Sequence, residues 1–299
     1  MSYIASLAEN LARGLGGATE EGFFDGRLCA RGDVDILNNA EVAGPGAGGA
    51  AAGLVPAVVV GGSLTVSNNA RLAGSAIVAC DATLSNNVVV TGDLLYGGSL
   101  SLGANAQVLG EATEAACELC AGGVLAQKCD GRIDPAALQS LIATLLEPTR
   151  EALGAVLPAG SLDAAGNLVL GNNAGVTLAA GLYAFKSVTL GNNASFTVAE
   201  GRAVVLILES ISASNNVTLG GGGGGQLAVI ALGAGQIDLK NNVQAALALI
   251  APQAELTMLA NNVRFTGALD VARLRVSNNN RLTVTAPGMA LDATSACAP

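Results

Sequence analysis

Residues 64–72 read LTVSNNARL, and the phrase returns as VTLGNNASF at 188–196 and as LRVSNNNRL at 274–282. Each copy has an apolar–x–apolar step, a small residue, two asparagines and renewed alternation. The second asparagine of each copy falls at Asn39, Asn69, Asn87, Asn105, Asn173, Asn193, Asn216, Asn242, Asn262 and Asn279. The steps between them are 30, 18, 18, 68, 20, 23, 26, 20 and 17 residues. Most lie near 20, the length of one solenoid coil. The long steps carry visible insertions: GPGAGGAAAGLVP from Gly44 to Pro56, the glycine run from Gly220 to Gly225, and a whole subdomain after Asn105.

Between the asparagine pairs the alternation has period two. Leu64, Val66 and Leu84 take one face while Thr65, Thr83 and Ser85 take the other, which is the periodicity of a strand. Successive strands would stack in parallel about 4.8 Å apart. The expected fold is therefore mainly β: a right-handed parallel β-helix in two blocks, with a small helical insertion and an N-terminal helix. The asparagines mark its corners. A tight bend needs positive φ, which Asn tolerates better than other non-glycine residues. Ala104 stands where the first asparagine would, yet Asn105 survives, so the second position is the expected left-handed residue. Stacked amides can also bond along the axis as a ladder.

Composition narrows the function. Of 299 residues, 51% are apolar, 12% charged and 3% aromatic, with 40 glycines and neither Trp nor His. This suits a narrow core of small aliphatic side chains and excludes disorder by composition. The net charge of −9 argues against nucleic acid, whose phosphates need basic clusters. No apolar run reaches about 18 residues, so no transmembrane helix is expected. The opening MSYIASLAENLARGL has no basic n-region, apolar h-region or cleavage site, and no export leader is read in it.

Outside the coils, residues 1–16 place Ile4, Leu7, Leu11 and Leu15 at helical spacing, as a cap or assembly contact. The expected blocks are residues 26–112 and 158–288, with a tail at 289–299. The insertion at 113–157 opens on CELCAGGVLAQKC and continues into DPAALQSLIATLLEPTREALGAVL. Asp134 reads as an N-cap, Pro135 as the first helical residue, and Pro148 as the start of a second short helix. The expectation is a helical hairpin. The runs Val204–Leu208, Leu227–Leu232 and Leu247–Ile250 are apolar on both faces. They form an outward wall that the hairpin or another subunit must cover.

Six cysteines, Cys29, Cys80, Cys117, Cys120, Cys129 and Cys297, fit disulfides in an oxidising compartment. Zinc bound by Cys117, Cys120 and Cys129 with a fourth cysteine, a redox pair at Cys117 and Cys120, and free buried thiols are the alternatives. Arg31-Gly32-Asp33 reads as a turn rather than an adhesion motif. The glycine run has no Lys-Ser/Thr pair of a phosphate loop. Polysaccharide cleavage wants paired carboxylates and aromatic platforms. Asp33, Asp35, Asp81, Asp93, Asp238 and Asp270 are instead spread thinly. No catalytic, cofactor-binding or metal residue is assigned. A row at Thr65, Thr83, Ser101, Val169, Thr189, Ser212, Asp238, Met258 and Arg275 does not keep the threonines of an ice-binding face.

The segment VVVTGDLLYGGSLSLGANAQVLGEA, residues 88–112, resembles the bactofilins, polymer-forming bacterial β-helix proteins. The region 166–287, with GLYAFKSVTLGNNASFTV and ALIAPQAELTMLANNVRFTGAL, resembles β-helix domains of bacterial surface and pilus-associated proteins. The resemblance implies a rigid body that assembles end to end or is displayed on the envelope. The expected function is structural: a self-assembling subunit, partnered by itself, of an extracellular or cell-surface filament or scaffold. The alternatives are a cytoplasmic bactofilin-like polymer and a carbohydrate-active enzyme.

Overall fold

A computed structural model gives the structure of the chain and describes residues 28–44, 56–115, 135–221 and 225–284. The expected N-terminal helix, the C-terminal tail and the cysteine-bearing start of the insertion lie outside the described residues. Twenty-eight short strands, β1 (Leu28–Ala30) to β28 (Arg281–Val284), and one helix, α1 (Pro135–Leu153), make up the fold. The strands form a parallel β-solenoid of about ten coils with three faces. One coil shows the plan: the strand Leu64–Val66, the asparagine corner, the strand Arg71–Ala73, then the strand Ser75–Val78. Leu64, Val66, Leu72, Ala76 and Val78 point inward and are fully buried.

All ten second asparagines adopt φ between 56° and 61°. They are the only non-glycine residues with positive φ among the described residues. The residue after each pair turns inward, and the turn closes on itself: the Ala70 N–H donates to the Ser67 carbonyl at 3.2 Å, as Ala40 does to Leu37. Along the axis, Asn87 Nδ2 donates to Asn69 Oδ1 at 3.1 Å and Asn105 Nδ2 to Asn87 Oδ1 at 3.0 Å. The same ladder runs from Asn173 to Asn262. The first asparagines form a second ladder, each Oδ1 accepting the backbone N–H of the next corner, as Asn86 does from Ala104 at 3.0 Å.

The order of the coils in space is not their order in the chain. Named by their second asparagines, they stack as Asn173, Asn193, Asn216, Asn242, Asn262, Asn279, Asn39, Asn69, Asn87, Asn105. The first described coil therefore lies in the middle of the stack, against the last one. From there residues 28–115 wind toward one end. The chain then returns to the opposite end and winds back inward through residues 167–284. The two segments form one continuous stack and meet at an internal seam. There β27 (Leu269–Val276) pairs with both β1 and β2 (Val34–Ile36), while β28 pairs with β3 (Glu41–Ala43).

Repeat length reports coil size. Coils of 18 residues use three-residue strands such as Leu64–Val66; those near 20 use four-residue strands such as Ser195–Val198. The wider coils hold Phe185, Phe196 and Phe265, all buried.

One corner breaks the pattern, and one side chain repairs it. Between Met258 and the pair Asn261–Asn262 stand two residues, Leu259 and Ala260, where every other coil has one. The extra residue moves the turn carbonyl away from the Val263 N–H. Asn280 occupies the inward position that is Ala or Val in every other coil, and it is 1% exposed. Its Oδ1 accepts the Val263 N–H at 2.8 Å, and its Nδ2 donates to the Met258 carbonyl. The same extra residue corrects the outward row read from sequence. Thr257, not Met258, lies between Asp238 and Arg275, and Asp35 belongs to the row as well. Met258 is fully buried.

Replacing Asn280 by Ala strands a buried donor and acceptor, which costs about 1–3 kcal/mol per group. Asn280→Ala is expected to lower the urea midpoint, and deleting Leu259 in that background is expected to recover most of the loss. Unfolding curves of the single and combined variants check this.

Candidate functional site: wall, ends and seam

Helix α1 lies on the outward apolar wall. Leu138, Ile142 and Leu145 pack on Leu182, Ala184, Val205, Ile207, Ala228, Ile230 and Ala248. The helix runs unbroken through Pro148, so the expected second helix is corrected to one continuous element. Proline at 148 frees the carbonyl of Thr144, which is exposed and can meet water. Beyond the proline, Thr149 and Leu153 are each 2% exposed, which continues the buried stripe. Burying Leu153 contributes about 1.5–3 kcal/mol, comparable to the roughly 3 kcal/mol a mid-helix proline costs. The wall extends further than the three runs read from sequence. Cys29, Val59, Ile77 and Leu95 share the same face on the other segment and are also buried. Their signal was there: the runs VVV at 58–60 and AIVA at 76–79 break strict alternation.

The two ends differ. At the Asn173 end the Thr149 hydroxyl accepts the N–H of Ala184, on the terminal strand β16 (Gly181–Ala184), at 2.9 Å. Ser161 and Asp163 bond to the free edge of β14 (Asn167–Leu170), with the Val169 N–H reaching the Ser161 carbonyl at 2.7 Å. Leu153, Leu157 and Leu162 pack under the terminal coil. Arg150 ties the helix to this cap by donating to the Ala164 carbonyl at 2.8 Å. At the Asn105 end, β11 (Leu100–Leu102), β12 (Gln107–Val108) and β13 (Ala112–Glu114) carry no partner strand on their outer edges among the described residues. Leu102 and Leu109 are 52% and 63% exposed. Ala104 is the first-corner residue of this coil. It has no amide oxygen to offer a further coil, so the ladder stops here.

Charge concentrates at the seam. Arg273 meets Asp33 at 2.9 Å, Arg275 meets Asp35 at 3.4 Å, Arg281 meets Glu41 at 3.6 Å and Arg31 meets Asp270 at 3.5 Å. All four pairs join residues 28–44 to residues 269–281. Among the described residues the one further ion pair is local, Arg150 with Glu147 in the helix. The partners are partly exposed, and such pairs contribute about 0.2–1 kcal/mol each. The seam's cohesion comes instead from buried apolar residues and ladder bonds. Val34, Ile36, Leu269, Leu274, Val276 and Leu282 are buried, and the Leu37 N–H reaches the Val276 carbonyl at 2.6 Å. The charges specify which edge joins which. Sequence reading missed this, although the repeat carried it: the phrase position holding Thr65 and Thr83 holds Asp35 in one coil and Arg275 in another.

The other residues singled out from sequence fall as follows. Arg31-Gly32-Asp33 is the bend between β1 and β2, and both its charges are paired across the seam. Asp33, Asp35 and Asp270 belong to the seam. Asp81 Oδ1 accepts the Ser99 N–H at 2.8 Å, and Asp93 Oδ1 the Glu111 N–H at 2.8 Å, binding coil to coil. Cys29 lies buried on the wall and Cys80 is half-buried at its edge; Cys117, Cys120, Cys129 and Cys297 lie outside the described residues. No free cysteine occurs among the described residues. No helix among them is long and apolar enough to cross a membrane.

Compared with protein-family models, curated proteins and solved structures, the chain finds no significant match.

Asp163 organises the capped end. Its carboxylate accepts the Asn167 side-chain amide at 2.9 Å and the Asn167 N–H at 2.8 Å. These two bonds, the side-chain one first, hold it below the usual carboxylate range. The Ser99 backbone and hydroxyl do the same for Asp81. A carboxylate depressed in the folded state contributes stability above its unfolded pKa, about 3.9. That contribution is lost as pH falls through the lowered folded value. The urea midpoint of the wild type is therefore expected to fall more steeply between about pH 5 and pH 2 than that of Asp163→Asn. Parallel slopes would remove Asp163 from the account of the cap.

Proposed function

We propose that the chain is a structural protein, a self-assembling subunit of an extracellular or envelope-associated filament or surface scaffold, without catalytic activity of its own. Right-handed winding, the sense preferred for parallel crossovers, belongs to this reading. So do disulfides among the six cysteines.

The carrying observation is the stack itself. It is a rod about 48 Å long, ten coils at about 4.8 Å each, built of interchangeable parallel edges that a second copy can match. A parallel β edge is a template for another chain unless something covers it. The polar side chains of the coils are occupied in holding coil to coil: asparagines in ladders, Asp81 and Asp93 on backbone N–H groups, and Asp33, Asp35 and Glu41 on arginines. The rows they form are supports, which favours a scaffold over a carbohydrate-active enzyme.

Electron microscopy and analytical ultracentrifugation of the purified protein, with and without reductant, test the reading. Assemblies one solenoid wide that grow with concentration are expected. Assemblies that need the oxidised protein favour the envelope setting, and assemblies indifferent to reductant favour the cytoplasmic polymer. Monodisperse monomer under every condition overturns self-assembly.

A further inference from the structure

The two ends of the rod are poor candidates for unlimited growth. One is covered by Thr149, Ser161, Asp163 and Leu162. The other ends its ladder at Ala104. Every copy nevertheless contains one complete coil-to-coil interface between chain segments that are not consecutive, and that interface is the seam.

We infer that the seam is the assembly interface: residues 28–115 of one copy stack on residues 167–284 of a second copy through the contacts that close the seam within one chain. This rests on the self-assembly reading and names the surface by which it proceeds.

Charge complementarity commits the partner. The edge formed by β2 and β3 presents Asp33, Asp35 and Glu41, and the edge formed by β27 and β28 presents Arg273, Arg275 and Arg281. Neither edge can pair with a second copy of itself without facing like charges. Each matches the opposite edge of any copy, so the interface is heterologous and polar.

Shape agrees with charge. The coils of residues 167–284 repeat at 20–26 residues, but the last step, from Asn262 to Asn279, is 17. It meets coils that repeat at 18. The wider segment narrows where it must fit the narrower one.

Connectivity permits exchange. Pro135 lies twenty residues beyond Ala115, and an extended chain of that length spans about 65 Å. This exceeds the whole rod of about 48 Å, so the connection can serve a seam closed within one copy or one shared with a neighbour. In the shared arrangement the open end of one rod lies beside the capped end of the next. Two copies can close into a swapped dimer, and more can continue as a line.

The test uses the full chain with complementary charge reversals. One variant carries Asp33→Arg, Asp35→Arg and Glu41→Arg; the other carries Arg273→Asp, Arg275→Asp and Arg281→Asp. A third combines all six changes and closes its own seam with the charges exchanged. Co-expression of the first two, followed by native mass spectrometry and light scattering, is expected to yield a 1:1 complex of twice the single-chain mass. The six-fold variant is expected to behave as the wild type. If that variant folds while the first two never co-purify, seam exchange is overturned, whether or not either of them folds alone. Wild-type assembly together with that result would leave the self-assembly reading standing and place it on another surface. A 1:1 complex from a protein whose wild type stays monomeric at all concentrations would support the seam and defeat the self-assembly reading.

Discussion

A parallel coil has two hydrogen-bonding edges, and neither can be satisfied within the coil itself. Every coil must therefore lie between two others, or be covered, or stay open. Ten coils leave two edges over. This chain creates two more by starting in the middle of its own stack, and it then brings those two together. The edge of the Asn39 coil and the edge of the Asn279 coil satisfy each other, which makes one rod of two segments. The capped end, the open end and the helix on the wall are the other answers to the same requirement.

Corner chemistry lets the coils stack at all. The left-handed residue at each bend costs a non-glycine side chain roughly 1–2 kcal/mol, and asparagine lowers that cost by local hydrogen bonding. Its amide then bonds to the next coil, so one residue type supplies both the bend and the ladder. Gly267 performs a comparable task at another corner. Its φ is 144°, and a Cβ there would lie 1.9 Å from the Leu247 carbonyl oxygen. Asn280 shows how tight the arrangement is, since one surplus residue at Leu259–Ala260 is matched by one buried amide in the neighbouring coil.

Much of this was legible in the sequence, because period-two alternation and a recurring corner are local properties. The strand periodicity, the parallel stack and the left-handed second asparagine all follow from a few adjacent residues. Pro148 misled for a local reason: a proline reads as a break, whereas burial of Thr149 and Leu153 beyond it holds the helix together. The order of the coils was not legible from spacing, since any coil edge can in principle accept any other. Its only trace is non-local. Asp35 and Arg275 occupy equivalent places in two copies of the phrase 240 residues apart, and their meaning emerges only when those copies are set side by side.

The permuted order is the claim on which the rest stands, and distances between corners measure it most directly. Spin labels attached by a non-cysteine chemistry at positions 38 and 278, and in a second sample at positions 104 and 172, fall on exposed corners. The stack described here places the first pair in adjacent coils, about 5 Å apart along the axis, and the second pair nine spacings apart, about 43 Å. A solenoid wound in simple chain order would reverse the two values. Double electron–electron resonance that finds 38 and 278 far apart, and 104 and 172 close, would contradict the account.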